Sequence, residues 1–115
     1  VNDPAGVLER VCAVRGLRGA VLVSASDGLV VSESLMDGVD GRALAALAAS
    51  LVSRLTRAVV AAGRGNPVFV QLAAERGSVL AAPAGDDLVI VAVAGPDANI
   101  GLARLELAAG TRSLS

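Results

Sequence analysis

The sequence predicts an α/β protein of the α+β sandwich type: a five-stranded antiparallel sheet with helices on both faces. Three observations lead there. The elements run helix, strand, strand, long helix, strand, strand, strand, helix. Successive strands are joined by tight turns, several carrying glycine, which makes them antiparallel neighbours. The long helix is apolar on two sides and so needs a partner on each. The 115 residues suit a single domain spanning 1–115.

Asp3 followed by Pro4 starts a short helix, with a carboxylate N-cap and then proline where its missing N–H costs nothing. Val7, Leu8, Val11 and Cys12 share one face, and the helix should stop before Gly16. Gly19 to Ala25 is a short apolar strand, Ser26-Asp27-Gly28 turns it, and Leu29 to Ser34 returns. Gly28 is expected to take a positive φ. A loop of Met36, Asp37, Gly38 and Val39 leads to Asp40 as the next N-cap. The long helix follows and ends near Gly63. Gly63 to Pro67 is a turn cluster. Val68 to Ala74 places Val68, Val70 and Leu72 on one face and Phe69 and Gln71 on the other. Ser78 to Ala84 is the fourth strand. Asp87 to Ala94 has no polar face, so it should be central and covered on both sides. Pro96-Asp97 opens a last helix, Ala98 to Ala109, stopping at Gly110 and leaving 111–115 as a frayed tail. Gly101 in its first turn suggests close packing on the sheet.

Asp40 to Ala62 organises the chain. Leu44, Leu47, Leu51, Leu55, Ala58 and Ala62 form one apolar stripe at three- and four-residue steps. Ala45, Ala48, Val52 and Val59 form a second, smaller one beside it. Together they cover roughly 200° of the helix, against about 100° for an ordinary surface helix. Only Ser50, Ser53, Arg54 and Arg57 form a polar strip. The expectation is that the leucines pack on the sheet and the flatter Ala/Val side meets a second copy of the chain. The polar strip, on this reading, rims the shared surface and touches a partner.

Composition removes several function classes. There is no His, so Ser-His-Asp and Cys-His catalysis and His-ligated metals are excluded. One cysteine allows neither an intrachain disulfide nor a Cys-based zinc site, and Cys12 reads as a small core residue in a reducing compartment, the cytoplasm. Every basic residue is Arg, so no Walker A lysine exists. With the Ala, Gly and Val excess this hints at a bacterial source. A net charge of −1 and a single aromatic residue argue against nucleic acid. Asp37, Asp40, Asp86, Asp87 and Asp97 fall at turns and caps, and the Asp86-Asp87 pair reads as a solvated hairpin tip. No signal peptide is visible, and Arg54 and Arg57 interrupt the richest apolar segment, so no membrane span is expected. No catalytic residue, metal or cofactor is therefore assigned, and an enzyme is not expected.

Three stretches together resemble the roadblock / dynein light chain family: Gly16 to Val31, Leu44 to Leu55, and Asp87 to Arg104. The last is the most specific, with a central apolar strand, a short loop and Asn99-Ile100-Gly101 opening the final helix. The resemblance implies a profilin-like sandwich that forms a homodimer, long helices side by side and third strands pairing edge to edge. It places Ala45, Ala48, Val52 and Val59 at the twofold axis, with Val68, Val70 and Leu72 near the edge pairing. It also implies a non-catalytic adaptor for a small Ras-like GTPase, in some members alongside a histidine-kinase-like protein. A small-ligand sensor, or a scaffold without a GTPase partner, is the alternative. That alternative needs convergent polar groups, and the strands offer only Ser24, Ser32 and Gln71.

Overall fold

The computed structural model describes residues 3–36 and 38–114. Its elements are α1 (Pro4–Cys12), β1 (Leu17–Ser24), β2 (Val30–Leu35), α2 (Gly41–Ala61), β3 (Val70–Ala74), β4 (Gly77–Ala84), β5 (Leu88–Ala94) and α3 (Ile100–Leu114). Asp37 lies outside the described residues. All strand pairings are antiparallel, in the order β2-β1-β5-β4-β3. The strand with no polar face is the central one, as its composition requires.

The pleat of β5 against β1 sorts the core into two clusters. Leu22 opposite Ile90 and Ala20 opposite Ala92 face α1 and α3, where they join Leu8, Val11 and Leu107. Val21 opposite Val91 and Val23 opposite Val89 face α2, where they meet Ala45, Ala48, Ala49 and Val52. The first cluster holds long side chains: Leu8, Leu22, Leu80, Ile90 and Leu107 are fully buried there. The second is made of Val and Ala throughout its fully covered part.

Several local expectations change. Asp3 sits at the N-cap of α1, but its carboxylate makes no capping bond; the Asp3 carbonyl accepts from the Val7 N–H at 3.0 Å instead. The cap of α3 is Asn99 rather than the Pro96-Asp97 pair, its Oδ1 accepting from the Leu102 N–H at 3.0 Å. Gly101 is exposed, with only Asn99 Oδ1 near the position of a Cβ, so it makes no close packing. The close approach is at Gly110, where a Cβ would meet Val7 Cγ1 at 2.8 Å. That crossing of α1 and α3 fixes a glycine inside the helix, and α3 continues through it to Leu114. So 111–114 are helical, not frayed, and Ser115 lies outside the described residues. Val68 precedes β3 and is 78% exposed, so it does not extend the Val70–Leu72 face.

Cys12 is half-buried against the first cluster, and its thiol donates to the Ser34 carbonyl at 3.6 Å. Burial raises its pKa above the ordinary thiol value, and the Ser34 contact opposes this more weakly.

Candidate interaction surface

The α2 helix is well bounded. Asp40 Oδ1 accepts from the Ala43 N–H at 3.1 Å, which satisfies one of the unpaired donors of the first turn. At the far end Gly63 takes φ 73°, its N–H reaching the Val60 carbonyl at 2.9 Å while the Arg64 N–H reaches Val59 at 3.1 Å. These two bonds are a Schellman closure, and the left-handed φ explains the glycine.

The two stripes lie opposite to the expected arrangement, the Ala/Val side on the sheet and the leucine side toward the surface. Ala45, Ala48 and Val52 are buried against the chain's own sheet, at 0, 7 and 5% exposure, so they cannot meet another molecule. Val59 is half-buried and belongs to neither cluster. Leu47, assigned to the sheet, is 71% exposed, while Leu44, Leu51 and Leu55 are partly so. The physical reason lies across the interface. The α2-facing side of the sheet is already filled by Val21, Val23, Val89 and Val91. A helix close above β-branched residues has room for alanine underneath, and leucines must swing to its flank.

That flank builds an apolar groove of about 200 Å³ along the β3 side of α2. Leu44, Leu47 and Leu51 form one wall and Val70, Leu72 and Val79 the other, with Ala48 and Val52 also touching it. No charged residue lines it. Of the three residues expected near an edge pairing, Val70 and Leu72 line the groove and Val68 does not. Among the described residues the edge strand β3 pairs only with β4, leaving its outer side open.

By length and composition α2 is one helix apolar enough to cross a bilayer, its arginines notwithstanding: mean hydropathy reaches 1.5. Its inner face is fastened along the sheet, however, so lipid cannot surround it. What the outer flank lacks is a cover on one side.

The opposite flank is polar. Ser50, Ser53, Arg54 and Arg57 are all exposed. Ser53 and Arg57 line an open groove of about 460 Å³ with Ser26, Asn66 and Asp86. Shallower grooves continue it toward the start of α2, past Ser50 and Ala46 to Arg42. Arg54 lines none of them. Asp86 and Asp87 lie exposed at the β4–β5 turn as expected, but the Asp87 carboxylate is also engaged: it accepts from Ser24 Oγ at 3.0 Å, Ser26 N–H at 3.0 Å and Ser26 Oγ at 3.1 Å. Among the described residues no group of three or more His, Cys, Asp and Glu could hold a metal.

Sequence reasoning missed Leu44, Leu47, Leu51 and Val79 as a set lining one groove. The polar strip points away from the boundary between the two stripes, so the helix alone gives no preference. Only the bulk of the facing strands decides.

The chain matches the Roadblock/LC7 domain family over residues 5–94. It belongs to that family. No curated protein matches it in sequence. Among solved structures it is similar to a Roadblock/LC7 domain from Streptomyces avermitilis, with TM-score 0.86 and 25% identity, covering 99% of this chain and 95% of that one. It is also similar to Myxococcus xanthus MglB, with TM-score 0.86 and 20% identity over 95% and 89% of the two chains. A third likeness is an MglB with a tetrameric arrangement, TM-score 0.84 and 22% identity, over 95% and 82%. The two MglB likenesses speak to the fold. The five-stranded antiparallel sheet with three helices is the roadblock architecture.

Proposed function

We propose that this roadblock domain is a non-catalytic, cytoplasmic homodimeric adaptor that binds a small Ras-like GTPase and modulates its nucleotide cycle or localisation. The observation that carries the reading is the apolar groove beside an open sheet edge. A second copy would cover both at once: leucines pack on leucines across a twofold axis, and the β3 edges hydrogen-bond to each other. The self-association set is therefore Leu44, Leu47, Leu51, Val70 and Leu72, in place of the buried Ala45, Ala48 and Val52. The likeness to an MglB that assembles as a tetramer supports self-association in this fold.

The polar flank remains free in such a dimer. Ser50, Ser53, Arg54 and Arg57 are the residues proposed to meet the GTPase, biasing its switch conformations through surface complementarity. Family membership supports this partner class. Nothing points to a histidine-kinase-like partner, and it is not carried further. The polar grooves are open troughs on the surface, lined by groups on mobile-length side chains such as Arg57, which suits a macromolecule better than an enclosed metabolite.

Sedimentation velocity across a concentration series tests the first half; a lone copy at high micromolar concentration would end the dimer reading. The second half is tested with purified Ras-like GTPases of the same organism. Complex formation, with altered hydrolysis or nucleotide release, is expected for a cognate partner. Identical turnover and release with and without the protein, and no complex for any of them, would overturn it.

A further inference from the structure

On the other side of the sheet, α3 carries Arg104, Ala108 and Arg112 at four-residue steps, so the three share one helix face. All three line a groove of about 190 Å³ between α3 and the approach to β3, together with Val68 and Phe69. No acidic side chain lines it. Among the described residues neither guanidinium has a carboxylate partner. Arg104 lies over the Phe69 ring at 4.8 Å from its centroid, and Phe69 is the chain's single aromatic residue. Stacking holds the guanidinium plane and leaves its edge donors available. Ala108 between the arginines keeps the floor low. Val68, at 78% exposure, and Phe69 give the groove apolar borders.

We propose that this groove is a docking site for an acidic segment of a partner protein. Two turns of helix separate the arginine Cα atoms by about 12 Å. In an extended chain, residues at i, i+2 and i+4 point one way, and the outer two lie about 13 Å apart. A segment with Glu, an apolar residue and Glu at those positions sets one carboxylate on each arginine and the apolar side chain over Ala108 and Val68. Charge is complementary throughout, and the apolar borders are used, which a free phosphate would leave idle. The site is separate from the α2 surfaces and does not depend on the GTPase reading.

The test uses the full chain and a fluorescein-labelled peptide, Ser-Glu-Ser-Leu-Ser-Glu-Ser, with its Gln-for-Glu analogue as control. Saturable anisotropy is expected for the Glu peptide, weakening with salt, and about tenfold or more weaker for the analogue. Amide shifts on nitrogen-15-labelled protein should be confined to 68–69 and 104–112. Arg104→Gln with Arg112→Gln should lower affinity at least about tenfold, a scale set by two charge-assisted contacts. Should that pair disturb folding, Arg112→Gln alone leaves the Phe69 stack intact and still weakens binding. Equal binding of both peptides, or unchanged binding by the arginine variants, would overturn the proposal. So would saturation of the same resonances by inorganic phosphate with no response to the peptide.

Discussion

The two faces of the sheet are packed by different means. On the α1/α3 face, long side chains such as Leu8, Leu22, Ile90 and Leu107 are completely enclosed. On the α2 face, alanines and valines make a thin layer, and the helix's leucines are pushed to its flank. One face spends its bulk on the subunit's own stability. The other keeps its bulk at the surface, where the proposed second copy would cover it. The lesson is that side-chain size, not apolarity alone, decides which side of a doubly apolar helix enters its own core and which stays at the surface.

Substitutions can break this contrast, beginning with the largest expected effect. Leu107→Ala removes a fully buried side chain from the α1/α3 face and should cost about 3 kcal/mol in urea unfolding. Ala45→Leu forces bulk under α2, where exposure is 0%, and should cost about 2 kcal/mol by overpacking. If instead it were neutral, the layer under α2 would not be tight. Leu47→Glu touches only the exposed flank. It should weaken self-association on the order of tenfold, about 1.4 kcal/mol, in sedimentation equilibrium. Unfolding of the dissociated subunit should move by no more than about 0.5 kcal/mol. The smallest effect sharpens the contrast through pH. The Cys12 thiol keeps its proton more tightly when folded, because burial opposes the thiolate. The unfolded chain therefore releases that proton first as pH climbs through the ordinary thiol value of 9.0. Stability from this group is complete below that value and declines above it, a loss that Cys12→Ala should abolish in alkaline unfolding curves.

Much of the architecture was legible because it rests on local chemistry. Asp40 as a cap, Gly28 at φ 72°, Gly63 as a stop and β5 as the central strand each follow from one residue type doing what only it does well. The failures share a different cause. Gly110 looks like a helix end, and only the crossing with Val7 shows why a helix would keep it. Asp87 is the exposed tip its position suggests, but only the β1–β2 turn across the sheet end shows what its carboxylate holds. On α2 the stripe expected at the surface lies on the sheet, since Leu47 and Ala48 are separated by what the facing strands leave room for. Contacts between distant segments carry that information, and neighbouring letters do not.

Asp87 also sets the cost of any encounter at that end of the molecule. It joins the turn after β1 to the start of β5 through its carboxylate and, by its carbonyl, to the Ala25 N–H at 2.8 Å. Two loops that would otherwise have to be ordered on contact are ordered already when the chain folds. A visitor arriving beside Ser53 and Arg57 meets a preformed wall, and loses less of its binding energy to stiffening it.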